Sequence, residues 1–126
     1  MDAVVLACTI AKHNKGHVFA VHVIEVRRSL PLDADLTEEA TSGEDVLSRA
    51  ESVAEEADFH IEGELLQARE AGHAIVDEAM ERGVDLILMG AEHKGLPGEY
   101  QMGRLTQYVV KAAPCNVWLW RHHVRE

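Results

Sequence analysis

The sequence predicts an α/β domain with an open, mostly parallel sheet and helices on both faces, and three observations carry that prediction. Segments of helical and strand period alternate along the chain as αβαβαβαβ, the pattern that builds a parallel sheet wrapped by helices. The segment Val84–Met89 is short and apolar apart from Asp85, as a strand buried on both faces is. With 126 residues, the chain is large enough for one hydrophobic core and too small for two.

The elements follow in order. Ala3, Leu6, Ala7, Ile10 and Ala11 recur at helical spacing and predict a first helix, with Gly16 as its C′ stop. A strand over Ala3–Cys8 would leave only Thr9–Gly16 for a parallel crossover, which needs about a dozen residues. His17–Val26 is rich in β-branched residues and predicts a strand. Arg27–Asp35, with Pro31, is a loop. The helix after it runs to about Ala57, with Leu47, Ala50, Val53, Ala54 and Ala57 inward and a capping box expected at Ser42–Asp45. His60–Ala68 alternates loosely, as an edge strand does. Ala74–Arg82 is a helix stopped at Gly83, and Val84–Met89 the buried strand. Ala91–Met102 is a loop punctuated by Gly95, Pro97 and Gly98. Gly103–Ala112 is a helix closed by Pro114, and Asn116–Arg121 the last strand.

Composition narrows the function. A formal charge of −10 argues against nucleic acid and against anionic membrane surfaces, both of which are held by clustered Lys and Arg. Between Asp33 and Asp58 the only base is Arg49, but the apolar positions keep a helical period, so the acid reads as a solvated helix face. Cys8 and Cys115 form no CxxC pair and are expected as buried thiols in a reducing cytosol. No apolar run approaches the ~18–20 residues of a membrane span, and the start lacks the basic region of a signal peptide. A cytoplasmic domain is expected, without membrane insertion of its own.

Three segments carry a family resemblance: Gly72-His-Ala-Ile-Val-Asp-Glu-Ala79, Val84-Asp-Leu-Ile-Leu-Met-Gly90, and Gly103 through Pro114-Cys-Asn-Val-Trp-Leu119. In order and spacing the chain resembles the universal stress protein family from Ala3 to Arg121, as a single domain over 1–126. The resemblance implies a Rossmann-like sheet of the adenine nucleotide alpha hydrolase type, with strand order 3-2-1-4-5. Asp2–Lys15 then matches the family's first helix, and the first strand, central in that order, is missing from this sequence. Its absence would expose two interior edges, and a domain cut from a longer polypeptide is expected. Val23–Ala34 is also similar to stress-protein domains fused behind membrane transporters, particularly amino-acid permeases.

Nucleotide-binding members carry Gly-x2-Gly-x9-Gly-Ser/Thr in the loop before the last helix. The glycines let the backbone approach phosphates, and the helix N-terminus complements their charge. Here Gly90 and Gly103 match the outer glycines, His93 stands at the second glycine and Arg104 replaces the hydroxyl residue, while Thr106 matches a threonine of the next turn. A side chain at position 93 obstructs the close approach, whereas Lys94 and Arg104 add positive charge. The resemblance therefore implies a degenerate loop of Gly90, His93, Lys94, Gly103, Arg104 and Thr106, with binding of ATP or another adenine nucleotide weak or lost.

No other constellation competes. His17 and His22, His13 and His17, and the His122–His123 pair lack partners at metal-ligand spacing, so no metal is expected. Ser29, Ser42, Ser48 and Ser52 stand in no nucleophile elbow, and Glu92 with His93 are the only acid–base candidates near the loop, so no catalytic residue is assigned. Trp118 and Trp120 share one face of the last strand and Val117 and Leu119 the other. Last-strand pairing between subunits, a dimer mode the resemblance implies, would make this edge a homodimer interface. The expected function is a non-enzymatic stress-response or sensing module acting as a dimer. The alternative is a nucleotide-responsive cytosolic regulatory domain of a transporter.

Overall fold

In the computed structural model, residues 2–91 and 103–121 are described. Helix α1 (Asp2–Asn14) leads to strand β1 (Phe19–Glu25), α2 (Thr37–Glu56), β2 (Glu62–Ala68), α3 (Ala71–Arg82) and β3 (Leu86–Ala91). Helix α4 (Arg104–Ala112) and strand β4 (Asn116–Arg121) follow. A single helix between consecutive strands returns the chain to the same end of the sheet, so the pairings are parallel.

The strands form two separate pairs. β1 runs beside β2 from Phe19 opposite Glu62 to Glu25 opposite Ala68. β3 runs beside β4 from Leu86 opposite Asn116 to Ala91 opposite Arg121. β1 and β3 are not paired with each other.

Helices cover both faces. On one face, Gly43 of α2 lies against His22 and Leu65, and a Cβ there would stand 2.6 Å from Leu65 Cδ1 and 2.8 Å from His22 Cδ2. On the other, Arg82 of α3 stacks over the Phe19 ring at 4.3 Å and pairs with Glu64, both on the opposite side of the pleat. α1 packs beside α2 and over β3, and α4 packs beside α3. Cys8, Ala50, Ala54 and Ile61 form the core, with Val18, Ala20 and Phe59 packed around them. The small residues at Cys8, Ala50 and Ala54 let α1 and α2 approach each other.

Several boundaries differ from the sequence expectation for identifiable reasons. α2 is continuous from Thr37, so Ser42–Asp45 lies within the helix and forms no capping box. Tertiary packing of Gly43 holds the helix together there. α3 begins at Ala71 rather than Ala74, because Glu25 Oε2 accepts the Ala71 N–H at 2.9 Å and caps a helix end from another element. The residue in the left-handed conformation after α1 is Lys15 (φ 55°), not Gly16. Gly16 N–H donates to Ala11 O at 2.7 Å, closing a Schellman turn one residue earlier than expected. The same turn ends α2 at Asp58 (φ 63°) and α3 at Gly83 (φ 61°).

β3 begins at Leu86 rather than Val84, since the Val84 N–H is spent on Ala79 O to close α3. Its residues Leu86 to Met89 are half-buried and Gly90 is exposed, against the expectation of burial on both faces. Among the described residues it pairs with β4 on one side only.

Candidate functional site

In an open parallel α/β sheet, ligands bind outside the carboxyl ends of the strands. That end of this domain is assembled from the last residues of β1 and β3 and the first of α3 and α4. Gly90 is a member of β3, opposite Trp120. A Cβ at Gly90 would lie 3.6 Å from the Ala3 side chain, an ordinary contact, which places the start of α1 over the end of β3.

Gly103 is the N-cap of α4, with extended backbone (φ −65°, ψ 164°) and no side-chain cap. Nothing lies within 4 Å of where its Cβ would be, so the glycine is required by no described neighbour. Arg104 opens the helix and is exposed, and Thr106 is half-buried one turn in. The first turn of a helix carries partial positive charge at its N–H groups, and Arg104 stands in that turn. His93 and Lys94 lie outside the described residues, as do Glu92 and the His122–His123 pair. Gly90 and Gly103 with Arg104 and Thr106 therefore frame the loop from both sides.

At the end of β1 an open groove of about 380 Å³ is lined by His22, Ile24, Glu25, Glu38, Glu39 and Ser42. Its walls come from β1, from α2 and from the side chains at their adjoining ends. Among the described residues no group of three or more His, Cys, Asp or Glu is placed to hold a metal. Both thiols are pushed above their ordinary value of 9.0, chiefly by burial. Low-pKa nucleophiles are the opposite case.

One cluster was invisible in the sequence. His73 stacks on Tyr108 with ring centroids 4.1 Å apart, and its Nε2 meets Glu70 Oε2 at 2.7 Å. The Tyr108 hydroxyl lies 3.2 Å from His73 Nδ1. Glu70 and His73 have the i, i+3 spacing of a helical pair, but Tyr108 is 35 residues from His73 and no local signal joins them. The cluster fastens α4 to α3 and sits on the helix surface, so it positions the last helix.

Comparison with known proteins assigns the family. The model of the universal stress protein family matches residues 1–121. The chain belongs to the universal stress protein family. A universal stress protein of Methanocaldococcus jannaschii is 30% identical over 123 residues, covering 93% of this chain and 72% of that protein. Among solved structures, a universal stress protein from Archaeoglobus fulgidus superposes with a TM-score of 0.79 at 21% identity, covering 93% of this chain and 85% of that one. A second Archaeoglobus fulgidus structure, in complex with dAMP, has a TM-score of 0.74 at 21% identity, covering 93% and 83%. UspA from Lactobacillus plantarum gives 0.73 at 27% identity, covering 95% and 88%. The parallel α/β fold with helices on both faces is thus that of the family.

The last strand of this stress-protein domain presents a second surface. Along β4, Val117 and Leu119 are half-buried while Trp118 and Trp120 are 49% and 40% exposed. Trp120 stands opposite Gly90, which faces α1, so both indoles lie on the α1 side of the sheet, beyond the reach of that helix. No helix among the described residues is long and apolar enough to cross a membrane.

Proposed function

We propose that residues 1–126 act as one cytoplasmic, non-enzymatic universal stress protein domain that works as a homodimer through β4, with its hold on adenine nucleotides weakened or lost. The exposure of Trp118 and Trp120 carries this reading. Among the described residues β4 pairs with β3 alone, and its outer edge would offer backbone to a second copy. With a two-fold axis perpendicular to the sheet, two β4 strands pair antiparallel and bring both tryptophan pairs onto one face. Val117 and Leu119 of the two copies then meet on the other. Tryptophan is enriched among residues that dominate interface energies.

The weakened nucleotide reading rests on α4. In a phosphate-binding turn a hydroxyl follows the last glycine; here Arg104 holds that position and Gly103 has no side-chain cap. The dAMP bound by the Archaeoglobus fulgidus protein makes adenine nucleotides the ligand class to test. The absence of a catalytic role is supported by thiols whose burial keeps them protonated.

Sedimentation equilibrium tests the dimer. The chain is expected as a dimer at micromolar concentration, and Trp118→Ser with Trp120→Ser raises the dissociation constant at least ~30-fold, about 2 kcal/mol. A monomer at ~100 μM, or a dimer indifferent to both substitutions, overturns the reading. Calorimetric titration with ATP and AMP is expected to show dissociation constants no tighter than about millimolar. Tight binding, or turnover of a phosphoester, overturns the rest.

A further inference from the structure

Helix α4 carries an exposed apolar position whose direction can be read from its neighbours. Each residue of an α-helix turns about 100° from the last, so consecutive side chains sample different sides of it. Tyr108 packs on Gly72 and His73 and marks the side that faces α3. Val109 is fully buried and marks the side turned into the protein. Val110, one step further round, points away from α3 and is 52% exposed. Thr106, one turn earlier, and Ala113, just past the helix, lie on the same flank and are half-buried. The charged residues Arg104 and Lys111 stand about 100° or more round the helix from Val110.

The order of the elements says where that flank looks. α2 packs over β1 and β2, and α1 packs beside α2 and over β3. Among the described residues, β3 therefore lies inward and β4 forms the outer margin. α3 lies beneath β1 and β2, while α4, beside α3, joins β3 to β4. The side of α4 away from α3 is thus the side nearest the outer edge of β4. A lone exposed valine is ordinary. Here the same margin also carries the exposed Trp118 and Trp120, on the opposite face of the sheet. Apolar side chains line the margin on both of its faces.

We propose that this flank of α4 is a second layer of the homodimer interface, packed against the same flank of a second copy. The inference rests on the β4 dimer proposed above and extends it from the strands to the helices. A crossover helix stands over the two strands it joins. In a dimer paired through β4, each α4 then lies about one strand spacing, ~4.8 Å, from the two-fold axis. The two copies of α4 run antiparallel about 10 Å apart, the spacing of packed helices. Threonine, valine and alanine are short enough to permit that approach. The second copy covers Val110 and supports α4 on the side that α3 does not reach.

The test uses the 126-residue chain in sedimentation equilibrium. Val110→Asp places like charges across the helix seam and is expected to raise the dissociation constant at least ~10-fold, with the circular dichroism spectrum unchanged. A cross-link measures the same contact without a buried charge. Val110→Cys is expected to join two chains through a bis-maleimide of about 10 Å, whereas Met80→Cys, exposed on α3, is not. The unsubstituted chain, with buried Cys8 and half-buried Cys115, sets the background of that reaction. Suppose the dimer is weakened by Trp118→Ser with Trp120→Ser but is indifferent to Val110→Asp. That result overturns the second layer and leaves the β4 reading standing, as does cross-linking at Val110→Cys no better than at Met80→Cys. A chain that is monomeric at ~100 μM overturns both.

Discussion

The two strand pairs share a direction and a construction yet divide the work of the domain unequally. The β1–β2 pair lies between α2 on one face and α3 on the other, and the buried cluster of Cys8, Ala50, Ala54 and Ile61 gathers beside it. The β3–β4 pair has half-buried strands and leaves Trp118 and Trp120 uncovered. Burial of apolar area is the main stabilising term, so the first pair supplies rigidity. The second leaves more of its surface exposed and is held to the first by the α3–α4 seam and by α1.

The largest effect expected from breaking this division is in the first half. Ile61 is 3% exposed and packs into the central cluster, so Ile61→Ala is expected to lower unfolding stability by about 3 kcal/mol. Val117→Ala, on the half-buried face of β4, is expected to cost about 1 kcal/mol or less in the monomer. Urea unfolding midpoints measure both, and equal losses would erase the distinction between the halves.

Next in size is the seam. A Cβ at Gly72 of α3 would stand 2.8 Å from Tyr108 Cδ1 and 3.2 Å from its Cβ, and the latter cannot swing away. Gly72→Ala is expected to destabilise by about 1–2 kcal/mol through displacement of α4. Combining it with Tyr108→Ala should recover part of that loss, because the second substitution removes the atoms the first one strikes. An additive pair would show that the seam is not where the strain falls.

The cysteines sharpen the comparison through pH. Burial raises the Cys8 thiol above 9.0, with Lys12 opposing in smaller part. Burial also raises Cys115, with Asp85 adding to the rise and the Ile87 backbone hydrogen bond opposing it. A thiol whose folded value is raised favours the folded state while neutral. Its contribution is complete below about pH 9 and is lost as pH rises through the folded value. Stability should therefore decline in alkaline solution, and Cys8→Ala should flatten that decline above pH 9. Alkylation should reach half-buried Cys115 before Cys8, which is fully buried.

The sequence made the element order and family legible because both rest on periodicity and local spacing. β4 occupies Asn116–Arg121 as expected, and its alternation correctly separates Trp118 and Trp120 from Val117 and Leu119. What it misjudged depends on contacts made at long range. Ser42–Asp45 has the letters of a capping box, but Gly43 is packed on two strands and the helix runs through. α3 gains its first residues from Glu25, 46 positions away from Ala71. Of the proposed loop, Gly90, Gly103, Arg104 and Thr106 lie among the described residues, at the end of β3 and the start of α4. The acidic groove of β1 and α2 was not legible in the sequence, because it unites residues on two elements with no shared motif.

The smallest expected effect concerns how the helices of the first half end. Three helices close with the same left-handed turn, yet only α3 has glycine there; α1 uses Lys15 at φ 55° and α2 uses Asp58 at φ 63°. The left-handed region costs an ordinary side chain about 1–2 kcal/mol, while aspartate visits it more readily through local hydrogen bonding. Glycine removes that strain but loses more freedom on folding, about 0.5–1 kcal/mol. Lys15→Gly should therefore stabilise by about 0.5 kcal/mol net, and Asp58→Gly by less. Lys15 offers little to offset the gain, since its own N–H reaches Lys12 O at only 3.5 Å and glycine keeps that donor. Both variants are read by urea unfolding in one buffer. A larger gain at Asp58 than at Lys15 would show that its side chain contributes nothing to the turn it occupies.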